Sequence, residues 1–135
     1  MEITPEINAR VSVNSSSTDW IVTAEARQHH WAIDEPLEDG GTDSAPTPNE
    51  TLLAALGGCT NITLQMYARR KKWPLKQVRI ELELIRDSVE NTIQRHIYLD
   101  GPLDDSQRKR LLAIANACPV HKILSMPLHI HTQIH

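Results

Sequence analysis

The chain carries two thiols, Cys59 at the end of Glu50-Thr-Leu-Leu-Ala-Ala-Leu-Gly-Gly-Cys59 and Cys118 at the head of Cys118-Pro-Val-His121. Each falls on the apolar side of a predicted helix. Two such thiols can pack a core inertly, close a stapling disulfide, or run redox chemistry on a water-poor substrate. Seven histidines add a second possibility. His129 and His131 would project from one face of a strand, as zinc accepts, but no cysteine or carboxylate can be placed beside them. They read instead as the polar half of an alternating strand, so neither a metal nor a cofactor is expected. His121 lies close enough in sequence to Cys118 to tune its thiol, and serves equally well as a surface or capping group.

The elements that must position these groups are bounded by composition. With 135 residues, 40% hydrophobic and 23% charged, the chain is long enough for one globular domain spanning 1–135. Aromatics are few, with three Trp, two Tyr and no Phe, so aliphatic side chains must fill the interior. A net charge of −3 argues against a nucleic-acid partner, which needs a basic surface. The start, Met-Glu-Ile-Thr-Pro-Glu-Ile, has neither the basic nor the apolar region of a secretory leader, and no apolar run is long enough to span a membrane. A cytoplasmic location is therefore expected, and there a permanent Cys59–Cys118 staple is disfavoured.

Residues 8–33 alternate loosely and are β-branched, predicting strands at Arg10–Val13 and Trp20–Ala24 and a further extended segment. Residues 34–47, rich in Gly, Pro, Asp and Thr, read as a loop. A central helix is predicted over 48–72, where Thr47, Pro48 and Glu50 form a capping box with proline at the first helical position. Leu52, Leu56, Cys59, Thr63, Met66 and Tyr67 fall within about a 100° arc and predict its buried stripe. Gly57-Gly58 interrupts that stripe, which predicts a close neighbour beside Cys59. Arg69 to Lys72 fall where cations oppose the negative helix end, a structural role for the one basic run. A hairpin is predicted over 77–99, then a second helix over 104–117 capped by Asp104 and Gln107, with Leu111, Ala115 and Cys118 inward, Pro119 as its stop and room for a short turn of helix after it. Residues 127–134 alternate as a final strand, completing an α+β plan.

Pro46-Thr-Pro-Asn-Glu50-Thr-Leu-Leu-Ala-Ala-Leu-Gly-Gly-Cys59-Thr, Tyr67-Ala-Arg-Arg-Lys71 and Cys118-Pro-Val-His121 together resemble the OsmC/Ohr family of osmotically inducible and organic-hydroperoxide-resistance proteins. The similarity runs from about Ala9 onward. The Asp34-Glu35-Pro36 and Gly40-Gly41 segment is similar to an OsmC-like branch with few characterised members. The resemblance implies an intertwined homodimer of helices wrapped by antiparallel sheets, with active sites at the subunit interface. It also implies that Cys59 attacks a small hydrophobic peroxide, becomes a sulfenic acid and is resolved by Cys118 as a disulfide, which an external dithiol then reduces.

Such a mechanism needs an ionised thiol, and Cys59 lies too far along its helix for the dipole to supply this. The resemblance implies an arginine oriented by the helix-start glutamate, a position that Glu50 matches. Arg10 and Arg27 are the arginines of the early strands, and Arg27, at a strand end near His29-His30, is the preferred one. Glu50 and Cys59 are nine residues apart, about 13.5 Å along a straight helix and half a turn out of phase, so one helix cannot bring both to one pocket. If both serve one site, Glu50 comes from the partner chain. The expected function is a thiol-dependent peroxidase for organic hydroperoxides, with Cys59, Cys118, Glu50 and Arg27 as site residues. The alternative is a non-catalytic protein of the same fold that holds a small hydrophobic ligand in an interface pocket.

Overall fold

The structure is a computed structural model and describes residues 5–135; Met1 to Thr4, which begin the segment read above for a leader, lie outside the described residues. Contacts gather the chain, read from its length as one domain, into two compact units divided between Thr51 and Leu52.

The first unit is a three-stranded antiparallel sheet of β1 (Ser12–Ser15), β2 (Val22–Ala26) and β3 (His29–Ile33), in that order. The strands lie about two residues later than the alternation predicts. Arg10 precedes β1, and Ser15 pairs with Val22 across a turn that holds the polar run. Arg27 and Gln28 form the tight turn between β2 and β3, where Arg27 takes φ 56°.

The predicted loop contains a short 3₁₀ turn at Leu37–Asp39 and is held from inside by Asp34. This buried carboxylate accepts from the Glu35 N–H (2.8 Å), the Thr42 hydroxyl (2.7 Å), the Thr42 N–H (3.3 Å) and the Ser44 N–H (3.0 Å). The Ser44 N–H and the Thr42 hydroxyl are the strongest influences holding its pKa below the ordinary 3.8, and they prevail over burial, which acts the other way. A carboxyl with a lowered folded pKa adds stability above its unfolded value and loses it as pH falls through the folded one. The urea midpoint of the protein is thus expected to fall as pH drops below about 4, and Asp34→Asn to flatten that limb. An unchanged pH profile in the variant would remove the clasp from the account.

The second unit is built on α1 (Pro48–Lys71), which starts in the first unit, with the hairpin β4 (Gln77–Arg86) and β5 (Asn91–Asp100) and the helices α2 (Asp105–Ala115) and α3 (Pro119–Ser125). Both predicted capping boxes are present. The Thr47 N–H donates to Glu50 Oε1 (2.9 Å) and the Glu50 N–H to Thr47 Oγ1 (3.1 Å), while Asp104 and Gln107 do the same at α2. Lys72, at φ 58°, closes α1, with its N–H on the Arg69 carbonyl and that of Trp73 on the Ala68 carbonyl. The basic run turns its cations back onto the helix: Arg70 and Lys71 lie over the Tyr67 ring at 5.3 and 5.7 Å.

The buried face of α1 is not the predicted stripe. Leu56, Gly57, Thr60, Leu64, Tyr67 and Ala68 are buried, whereas Leu52 and Met66 are exposed and Cys59 and Thr63 half-buried. Apolar residues occur all round α1, so periodicity does not single out one face; packing against the hairpin does. Gly57 shows the reason, since a Cβ there would lie 2.8 Å from Leu82 Cδ1, and the close neighbour expected beside Cys59 is β4. Gly58 has nothing near it, so the expectation holds for only one of the two glycines. Leu64, Tyr67, Val78, Leu111 and Ala115 form the core, joining α1, the hairpin and α2.

One prediction for the last third needs correction and one is found. The short helical turn expected after the Pro119 stop is α3, with Pro119 at its first position, where its missing N–H is harmless, and Cys118 at its N-cap. Residues 127–134 form no strand, and Leu128, Ile130 and Ile134 are exposed. Alternation sorts side chains between two faces, but a strand also needs an edge to pair with, and among the described residues this segment has none.

Candidate active site

The two cysteines, 59 residues apart in sequence, meet in the second unit. Cys118 is fully buried at the junction of α2 and α3, and Cys59 is half-buried on α1, one position before the buried Thr60. The Cys59 thiol faces the Cys118 sulfur and helps to lower its pKa, and both cysteines are free thiols. The inward placement expected for Leu111, Ala115 and Cys118 is found, with each no more than 1% exposed.

A charged group accompanies them that the sequence reading did not single out. Arg95, on β5, donates from Nη1 to Thr60 Oγ1 (2.9 Å) and from Nη2 to Asn116 Oδ1 (3.0 Å), with His121 Nδ1 at 3.1 Å from the same Nη2. A guanidinium only donates, so His121 Nδ1 is the acceptor and its ring is the neutral tautomer protonated at Nε2. Thr60 Oγ1 is in turn 2.7 Å from the Leu56 carbonyl and 3.5 Å from Cys118 Sγ.

The register explains how Arg95 arrives there. Val78 pairs with Leu99, Ile80 with Ile97, Leu82 with Arg95 and Leu84 with Ile93, so these eight residues share one face of the hairpin. Seven are aliphatic, and Leu82, the cross-strand partner of Arg95, is the residue that meets Gly57 of α1. Arg95 is thus the one charge among these eight, while Arg86, paired with Asn91, continues the same face at the exposed end of the hairpin. The signal was legible in Ile93-Gln-Arg95-His-Ile97-Tyr-Leu99, where a charge interrupts the apolar half of the alternation.

The electrostatics follow from this placement. Burial raises the pKa of Cys118, but the Thr60 hydroxyl, the His121 N–H, the Cys59 thiol and the Arg95 charge together take it below the ordinary thiol value. His121 is held below its ordinary 6.5 by burial and then by the Arg95 charge, in keeping with the neutral ring. A cleft of about 480 Å³ opens on this network, with apolar walls that include Leu56, Ile93 and Ile97 and an equal share of polar groups, Arg95, Asn116 and His121 among them. A site of that composition can hold an alkyl chain while presenting donors to a polar head.

The other predicted residues are placed as follows. Glu50 lies in the first turn of α1, engaged with Thr47. Arg27 is exposed at the tip of the β2–β3 turn, and Arg10 is exposed ahead of β1. His129 and His131 lie in the exposed C-terminal segment, and among the described residues no cluster of three or more His, Cys, Asp or Glu side chains is arranged to hold a metal.

Residues 41–133 match the family model described as OsmC-like protein. The fold is similar to that of an OsmC-like protein from Mycoplasma pneumoniae, with TM-score 0.77 at 19% identity over 89% of each chain. It is also similar to an organic hydroperoxide resistance protein OsmC from Legionella pneumophila (TM-score 0.66, 18% identity, 90% of this chain and 92% of that one). A third likeness is to the organic hydroperoxide resistance protein OhrB of Bacillus subtilis (TM-score 0.61, 16% identity, 90% and 93%). No curated protein matches the sequence.

Proposed function

The chain belongs to the OsmC-like family, and on that premise we propose that it is a thiol-dependent peroxidase that reduces organic hydroperoxides. The observation that carries the proposal is the facing pair of free thiols, one buried and one half-buried, whose Arg95, Asn116 and His121 neighbours line a partly aliphatic cleft. Cys59, the more accessible, attacks the terminal peroxide oxygen, the O–O bond breaks and an alcohol leaves. Cys118 then displaces hydroxide from the Cys59 sulfenic acid to form the disulfide. An external dithiol restores both thiols by exchange, as a reducing compartment such as the cytoplasm provides.

Mixing the reduced protein with a stoichiometric alkyl hydroperoxide is expected to consume both thiols of each chain, read by thiol titration, and to yield an intramolecular disulfide. Unchanged thiols would refute the proposal. They would favour the alternative, a binder of a small hydrophobic ligand, for which a second open cleft of about 850 Å³ beside Ile62, Met66, Ile114 and Pro119 is the supporting feature.

A homodimer is part of the same proposal. Ile62 and Met66 on α1 and Leu112 on α2 are 58%, 67% and 57% exposed, which is more apolar helix surface than a monomer comfortably leaves in water. Glu50, out of phase with Cys59, is proposed to act on the thiols of the second copy, and Arg27 remains the proposed cation for Cys59. Among the described residues, no helix is long and apolar enough to cross a membrane.

A further inference from the structure

Arg95 has an unusual set of partners. Its hydrogen bonds go to a threonine hydroxyl, an asparagine carbonyl oxygen and a neutral imidazole, none of which carries charge. The ion pairs among the described residues are His30–Glu25 and Arg79–Glu81, so no carboxylate balances Arg95. A half-buried guanidinium flanked on its sheet face by Ile93, Ile97 and Leu82 loses hydration without gaining a counter-charge. The group beside it able to supply one is a thiolate.

The hydroxyl between them selects which thiol. Thr60 has one proton and two acceptors in reach, the Leu56 carbonyl and Cys118 Sγ. While Cys118 is a thiol, its S–H can donate to Thr60 Oγ1, and the Thr60 proton stays on Leu56. When Cys118 is a thiolate the hydroxyl can rotate and donate to it, and the Arg95 bond to the same oxygen strengthens that donation by polarising it. The hydroxyl contact links Arg95 to Cys118 and not to Cys59.

We propose that Arg95 is a positioning residue for the second thiol: held by Asn116 and His121, it acts through Thr60 to prepare Cys118, rather than Cys59, for attack. The inference rests on the peroxidase reading for its chemical step. In that step the Cys118 thiolate attacks the sulfur of the Cys59 sulfenic acid, the S–S bond forms, the S–O bond breaks, and the hydroxide that leaves combines with the proton Cys118 gave up on ionising to form water. The groups that face Cys118 are Cys59 and Thr60 from α1, Arg95 from β5 and His121 from α3.

The test separates the two thiols. After a pulse of alkyl hydroperoxide, Arg95→Met is expected still to form the Cys59 sulfenic acid, trapped with dimedone, so that the step after it can be timed by itself. Its disulfide should form about three- to ten-fold more slowly. The slowing stays modest because the higher pKa lowers the thiolate fraction, while the more basic sulfur regains part of the loss in nucleophilicity. In a Cys59→Ser background, the ultraviolet thiolate absorbance is expected to titrate at higher pH in Arg95→Met than with Arg95 present. Arg95→Lys and Thr60→Val should fall between, and they keep the test available if Arg95→Met does not fold. Slower sulfenic acid formation with unaltered disulfide formation would assign Arg95 to Cys59 and overturn the proposal, as would an unmoved titration. If no sulfenic acid forms in the parent protein, the peroxidase reading fails, and the absorbance titration still decides what Arg95 does to Cys118.

Discussion

Cys59→Ser is expected to abolish hydroperoxide turnover, lowering kcat/KM by at least about a thousand-fold, while Cys118→Ser leaves a single fast oxidation and no disulfide. The asymmetry follows from exposure and geometry. Cys59 is the half-buried thiol, so a bulky hydroperoxide reaches it first, whereas Cys118 is fully buried behind it. A serine hydroxyl at position 59 has neither the acidity nor the polarisability to attack a peroxide oxygen, and removing a nucleophile removes the covalent route entirely. Without Cys118 the first step remains, but the sulfenic acid has no internal thiol to condense with and passes to sulfinic acid under excess peroxide. Mass spectrometry distinguishes these states: one added oxygen and then two on Cys118→Ser, and none on Cys59→Ser. Equal activity in the two variants would mean that the division of labour between the thiols is wrong.

The second large effect is on stability. Leu64→Ala is expected to lower the unfolding free energy by about 3 kcal/mol, within the range of about 2–5 for a buried leucine reduced to alanine. Leu64 is fully buried one turn beyond Thr60, and it joins α1 to Val78 of the hairpin and to Leu111 and Ala115 of α2. The lost methyl groups forfeit both transfer energy and contacts across three elements at once. A typical domain has about 5–15 kcal/mol in all, so a large share of the total is at stake. Val89→Ala, at a position 90% exposed in the β4–β5 turn, should change stability by less than about 0.5 kcal/mol. Urea unfolding with matched m-values measures both, and a loss under about 1 kcal/mol at Leu64 would show that the core closes around the gap. Because Thr60, Asn116 and Cys118 hang from the same elements, Leu64→Ala is also expected to weaken the order of the thiol site.

The parts of the fold that were legible in the sequence are those governed by short-range rules. Thr47-Pro48 with Glu50, and Asp104 with Gln107, mark helix starts because the groups that satisfy the first free N–H donors lie within three residues of one another. The β4–β5 hairpin follows from alternation on both arms, broken on β5 at Arg95, which fixes register once one face is buried. The cysteine settings pointed to the family, and the family model matches across most of the chain.

Tertiary structure decided the rest. It chose which face of α1 is buried, because a helix apolar on several sides presents no single stripe until a sheet lies against it, and Gly57 lets Leu82 approach. It left residues 127–134 unpaired, because alternation does not supply a neighbouring strand. Above all it brought Arg95 to the thiols. Its chemistry was visible as a charge among aliphatic residues, but its partners Thr60, Asn116 and His121 lie 35, 21 and 26 residues away, and only the register that sets Arg95 opposite Leu82 turns that charge toward α1. Sequence by itself determined which residues can do chemistry here, since side-chain type fixes acidity and nucleophilicity. Only the fold decided which of them meet, because contacts between distant elements depend on packing that no local pattern encodes.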